Sequence, residues 1–328
     1  MTIFTGVMDI WPGIVKSVRD VLPGTIRTCI WMIKITVGVS FAMMLLKFFN
    51  ILPWISDFIS PVFKYFGLPG SAALAYLSGY FVNVYSAVAV FTSLELDWRA
   101  TTIIATMVLC SHSMVLETAV LKKTGASAAR MVIVRTLVAL LLGFILNLVL
   151  PGSGAQPVDA AAQKWTTPLG QTLLDWTLST LKLVAIMTTV IFSLNILQRI
   201  LSEFGIMDVI ARLFRPLMLV LGLPANTAFL WLVANIVGLG YGAAVMLDEI
   251  GRGALSERDV KLLDTHISIN HSNVEDLTVM TAMGGSWWIM LTVRLIAAII
   301  LVWEMRLEFL ITLKHGQPGR ARISHQGP

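Results

Sequence analysis

Apolar runs long enough to cross a bilayer recur along this chain, at residues 29 to 50, 101 to 121, 130 to 150, 177 to 198 and 288 to 305; a spanning helix needs roughly 17 to 25 residues. Two more apolar segments, 67 to 95 and 222 to 250, are interrupted. The first breaks at Ser78-Gly79-Tyr80 with Asn83 following, the second at Gly238-Leu239-Gly240-Tyr241-Gly242. Glycine lets the backbone leave the helix, which hydrocarbon tolerates only where protein or a water-filled cavity satisfies the freed amides and carbonyls. Amphipathic stretches at 53 to 66 and 203 to 221 precede the interrupted segments. This pattern predicts an all-α polytopic membrane protein.

The polar positions repeat. His112-Ser113 matches His271-Ser272 at an offset of 159 residues, and the same offset pairs Gly79 with Gly238, Arg99 with Arg258, Glu117 with Asp276, Gly125 with Gly284 and Arg135 with Arg294. Upstream, an offset of 155 pairs Pro61 with Pro216 and Gly67-Leu68-Pro69 with Gly222-Leu223-Pro224. Chance apolar similarity aligns Leu with Val, but it does not align Gly, Pro, Arg, His and acid together. The chain therefore divides into an N-terminal cytoplasmic segment (1 to 24), a first repeat (25 to 150), a linker (151 to 171), a second repeat (172 to 306) and a cytoplasmic tail (307 to 328).

Each interrupted segment either spans or dips in and returns as a hairpin. Cytoplasmic loops carry the excess of Lys and Arg. With hairpins and an inside N-terminus, the clusters at Lys122-Lys123-Arg130, Arg199-Arg212-Arg215 and Arg252-Arg258-Lys261 all fall on the cytoplasmic side, leaving only Lys47, Lys64, Arg99 and Lys164 outside. If the segments span, the first two clusters move outside. Hairpins are favoured, and three crossings per repeat then make the repeats inverted in topology, with both termini in the cytoplasm.

Charged residues make up 13% of the chain, against about 25% in soluble domains, so those inside the membrane are informative. Glu117 with Arg135, and Asp276 with Arg294, lie symmetrically about a turn in each repeat and are expected to form one ion pair per repeat. An unpaired charge at mid-membrane is costly. Ser111-His112-Ser113 and Asn270-His271-Ser272-Asn273 put consecutive polar residues into otherwise apolar helices. We expect His112, Ser113, His271, Ser272 and Asn273 to line a substrate or ion site, together with Asn83, Gly79, Gly238 and Gly240 at the breaks. His271 and Glu275, spaced i, i+4, are the candidate metal ligands. His266, with Asp264 and Lys261, reads as a residue near a membrane boundary. Cys29 and Cys110 lie in apolar segments and make no disulfide framework. The segment around Asp9, Pro12 and Lys16 lacks signal-peptide features.

The glycine-interrupted segment, the His-Ser helix and the arginine-bearing helix after it resemble the nucleoside-recognition or Gate domain. That domain is shared by concentrative nucleoside transporters, Feo-type ferrous-iron permeases and the spore maturation proteins A and B. The resemblance covers 67 to 150 and 222 to 306 and implies transport across the inner membrane. The GxxxxGK[ST] phosphate loop of the Feo-type GTPase is absent, and no nucleoside-contacting Gln or Glu motif can be placed on either segment. Three readings follow: a permease for a small polar solute, nucleoside-like or otherwise, working by alternating access; a metal or inorganic ion permease; and a non-transporting assembly protein. No protease motif is present, and no enzymatic activity, cofactor or nucleic acid is expected. The expected partners are lipid, the solute or ion, a coupling proton or sodium ion, and a second copy of the chain.

Overall fold

The computed structural model describes residues 2–94, 96–152, 166–236, 238–239, 246–247, 249–250 and 255–315. Among them every regular element is a helix: α1 (Thr2–Phe48), α2 (Ile51–Phe63), α3 (Ala72–Phe81), α4 (Val84–Phe91), α5 (Trp98–Ser111), α6 (Met114–Lys123) and α7 (Ala128–Val149), then α8 (Leu169–Glu203), α9 (Ile206–Val220), α10 (Ala228–Ile236), α11 (Glu257–Ile269), α12 (Glu275–Ala282) and α13 (Trp287–His315). Among the described residues, four stretches are long and apolar enough to cross a membrane: Trp98–Lys123, Ala128–Val149, Leu169–Ser193 and Trp287–Ile311. Within the first apolar run, Thr36–Leu46 is a shorter apolar stretch among the described residues, and α1 extends without a break across the expected boundary at residue 24. Several helix starts carry side-chain caps. Asp97 accepts from the Ala100 amide ahead of α5, Ser127 from that of Arg130 ahead of α7, and Ser256 with Asp259 forms a capping box on α11.

The first interrupted segment is a hairpin, and the two ends of the second also come together. A Cβ on Gly79 would lie 3.2 Å from the Ala87 Cβ, although eight residues of continuous helix span about 12 Å; α3 and α4 must therefore lie side by side. At ten and eight residues, neither could cross a core of about 30 Å alone. Arg99, just past the first hairpin, donates to Asn147 O and Oδ1, both at 2.7 Å, and Asn147 Nδ2 donates to Tyr65 O just before the hairpin. The chain has thus returned to the side it left. In the second repeat Arg306 Nε donates to Gly222 O at 2.5 Å, Asn226 reaches Asp259 at 3.4 Å, and the Arg258 guanidinium stands over the Phe309 ring. Residues before and after that segment likewise share one end.

Two details of the first hairpin differ from the sequence reading. The helix continues through Ser78-Gly79-Tyr80 and breaks at Val82-Asn83, where the Asn83 side chain accepts from the Ser86 amide and caps α4. A tight turn needs a cap more than it needs a glycine. Moreover, Ser113 N donates to Gly79 O while Ser272 N donates to Ala234 O. The structural counterpart of Gly79 is therefore Ala234, at the offset of 155, and the four-residue insertion falls beyond α10. In the second segment Gly238 is described, with φ 98°, whereas Gly240, Tyr241 and Gly242 lie outside the described residues, as do most of the linker and the end of the tail.

The repeats run antiparallel. Asp20 lies near Arg199 while Ser40 bonds Thr180, so α1 and α8 pair head to tail. The turn after α6 meets α11 through Thr124 Oγ1 to Asp264 Oδ2 at 2.7 Å, and the turn after α12 meets α5 through the Ser286 amide to Thr102 Oγ1 at 2.9 Å. Arg130, at the start of α7, pairs with Glu304 and Glu308 near the end of α13. Each repeat thus presents its far end to the near end of the other, which is an inverted duplication. The outer faces of α7 (Ile133, Leu137, Leu141, Leu148) and α13 (Ile296, Ile300, Leu307, Ile311) are exposed and apolar, a surface suited to lipid. A Cys at exposed Lys64 and one at exposed Thr92, flanking the first hairpin, should both react with an impermeant maleimide added to the same face of sealed membranes. Labelling from opposite faces would reject the hairpin.

Candidate functional site

The helix carrying each histidine is bent at the same place. Ser113 and Ser272 adopt the left-handed backbone conformation, with φ 48° and 49°, and their amides are held by carbonyls of the facing hairpin. A non-glycine residue is rarely found there, and such strain collects at functional positions. Below each bend a fully buried arginine ties up the freed carbonyls. Arg135 Nε donates to Cys110 O at 3.1 Å and Nη2 to His112 O at 2.8 Å; Arg294 Nε donates to Ile269 O at 3.1 Å and Nη2 to His271 O at 3.0 Å. Arginine suits this role because its planar fork offers several donors in fixed geometry.

The bends converge on the centre of the molecule. The His112 and His271 rings stand 5.0 Å apart. His112 Nε2 lies 2.9 Å from Glu117 Oε1 and 3.3 Å from Asp276 Oδ2, and His271 Nε2 lies 3.4 Å from the same Glu117 Oε1. The other Glu117 oxygen is 2.7 Å from Arg135 Nη2. One ion pair expected from sequence is thus formed within the first repeat, while the other is not. Arg294 Nη1 donates to Asn273 Oδ1 at 3.2 Å, and Asp276 reaches across to His112. Aspartate is one methylene shorter than the glutamate at the equivalent position, and Asn273 stands where the first repeat has Met114.

The pairing of His271 with Glu275 is also corrected. The i, i+4 relation holds only along continuous helix, and the backbone between them turns through the Ser272 bend before α12 begins. Glu275 instead accepts from the Tyr85 hydroxyl of the first hairpin at 2.5 Å, and the carboxylate facing His271 belongs to Glu117. Asn273 Nδ2 donates to Asn235 Oδ1 at 2.6 Å. Gly79 acts through its carbonyl, which accepts from the Ser113 amide, and a Cβ on Gly238 would sit 3.2 Å from Ser272 Oγ. The buried Nδ2 of Asn83 and both side-chain polar atoms of Asn270 make no hydrogen bond.

Nothing in the sequence brings Tyr85 of α4 to a carboxylate, and His266 reads there as a residue near a membrane boundary. His266 is fully buried and accepts from Trp231 Nε1 at 3.2 Å. The periodicity of α11 carries that signal, because His266 lies one turn before Asn270 on the buried side. Asp264, buried two residues earlier, floors a cleft of about 370 Å³ that opens between α7 and α11 and is lined by Ser127, Arg130, Lys261 and Glu308.

No protein-family model and no solved structure matches the chain. It is similar to the uncharacterized membrane protein YvoD of Bacillus subtilis (strain 168), with 28% identity over 276 residues that cover 82% of this chain and 87% of that protein. Together with the apolar helices, this likeness supports a membrane protein.

Proposed function

We propose that this protein is a permease for a small polar solute or ion, working by alternating access. The observation that carries the reading is the meeting of both re-entrant hairpins and both bent helices at one buried polar centre between inverted repeats. Inverted-repeat carriers place their sites at discontinuous helices near the bilayer midplane and open them by rocking one repeat against the other. Buried ionisable side chains at that depth mark a pathway by default. In this reading the Thr124–Asp264 and Ser286–Thr102 contacts close the centre from its two sides, and the cleft above Asp264 is the approach from one of them. That side carries the basic clusters and is assigned to the cytoplasm, the membrane being the inner membrane. The family reading is part of the same proposal: a Gate-type carrier without its own nucleotide motor, not an enzyme.

Disulfide locking tests it. The full chain, reconstituted in liposomes, should show saturable flux of its solute. Oxidised Thr124→Cys/Asp264→Cys and Thr102→Cys/Ser286→Cys pairs should each stop that flux, and reductant should restore it. Undiminished flux with both pairs locked would reject alternating access.

A further inference from the structure

We propose that His112, His271 and Glu117 form a binding site for a divalent first-row transition-metal cation, held between the two repeats. This deepens the permease reading and rests on it only for the claim that the cation is the cargo. The ring orientations are the first argument. His112 Nδ1 lies 3.3 Å from Val108 O and His271 Nδ1 lies 2.6 Å from Ile267 O. A backbone carbonyl only accepts, so each Nδ1 carries the hydrogen and, in the neutral ring, Nε2 offers a lone pair to the centre. A ring nitrogen fixed by a backbone carbonyl is the usual outer shell of a metal-bound histidine.

The second argument is geometry. The three ligand atoms lie within 4.8 Å of one another, with His112 Nε2 and His271 Nε2 at 2.9 and 3.4 Å from Glu117 Oε1. Ligands at about 2.0–2.1 Å from a tetrahedral zinc ion sit about 3.3 Å apart, so the two edges at Glu117 Oε1 are close to those required. Asp276 Oδ2 lies 3.3 Å from His112 Nε2 but is not one of the three mutually close ligand atoms. The third argument is an unmet need: His271 is 1% exposed, and its Nε2 makes no hydrogen bond. Arg135, 2.7 Å from Glu117 Oε2, leaves Oε1 free to ligate. Imidazole with carboxylate selects zinc, cobalt, iron or manganese over calcium or magnesium.

The test uses the full chain in detergent, stripped with a chelator and titrated with Zn²⁺ by calorimetry and with Co²⁺ by visible absorbance. One Zn²⁺ per chain and the intense bands of tetrahedral Co²⁺ are expected. His271→Ala and His112→Ala should each weaken binding by more than about 100-fold, beyond what outer-shell changes cause. His271→Cys should retain binding and add a thiolate-to-cobalt band, which separates a lost ligand from a misfolded variant. No binding, or binding unchanged in both alanine variants, would overturn the site. Zn²⁺ uptake into liposomes loaded with a zinc-sensitive dye then tests the cargo. Binding without uptake, beside disulfide-sensitive flux of another solute, would remove the cargo role and leave the permease. Flux indifferent to both disulfide locks would remove the permease and leave the site.

Discussion

Arg135→Ala is expected to destabilise the protein by about 3–5 kcal/mol, the range seen when one partner of a buried ion pair is removed. Arg135 is fully buried, and its loss strands the Glu117 carboxylate together with the carbonyls of Cys110 and His112. Arg294→Ala should cost less, about 1–3 kcal/mol, because it leaves neutral acceptors unsatisfied rather than a charge. Its partners are two carbonyls and the Asn273 amide oxygen. The double variant Glu117→Gln/Arg135→Ala should recover part of the loss, since it removes the stranded charge. Thermal unfolding of the purified variants in one detergent checks the order, with Arg135→Ala lowest. Equal losses at the two arginines would mean that Glu117 is not the group Arg135 neutralises.

The asymmetry behind this prediction also marks what the sequence could and could not disclose. Heights along a helix follow from residue number, so the opposition of Glu117 to Arg135 across the turn at Gly125 was legible, as were the two histidines, though not the bends that follow them. Which side chains meet across the repeats was not. The offset of 159 relates His112 to His271 but contains no distance between them, and the contacts of Asp276 with His112, Glu117 with His271 and Glu275 with Tyr85 all cross that boundary. The shorter aspartate and the Asn273 that takes its place are single-atom matters of reach. Repeat alignment cannot weigh them.

The breaks were misread for a related reason. A glycine in an apolar segment reads as the point where the helix ends, yet the first hairpin turns on the Asn83 cap while Gly79 stays inside α3. The glycines with positive φ are found at connections: Gly67 and Gly222 lead into the hairpins, and Gly125 and Gly284 follow α6 and α12. There the missing Cβ relieves backbone strain. At Gly79 it serves packing instead, and only coordinates distinguish the two uses.

That use makes Gly79→Val the substitution expected to do the most damage outside the charged cluster. Even a Cβ alone would stand 2.7 Å from Val108 Cγ1 and 3.2 Å from Ala87 Cβ, and both neighbours are fully buried. The hairpin must then move away from α5, which breaks the Ser113 amide bond to Gly79 O and frees the bend that aims His112. Gly79→Ala should cost about 1–3 kcal/mol, the range for overpacking a close-packed core, and the larger valine should abolish flux. Val108→Ala added to Gly79→Ala should restore stability, a coupling of about 0.5–3 kcal/mol for residues in contact. Ala234→Gly, at the structural counterpart, has no clash to relieve and should lose only the roughly 0.5–1 kcal/mol of a helix-interior glycine. Thermal unfolding of these four variants and of Val108→Ala alone reads all these terms. If Val108→Ala fails to rescue Gly79→Ala, the damage does not arise at the contact between hairpin and bent helix, and the route proposed here from the tip to the His112 bend is wrong.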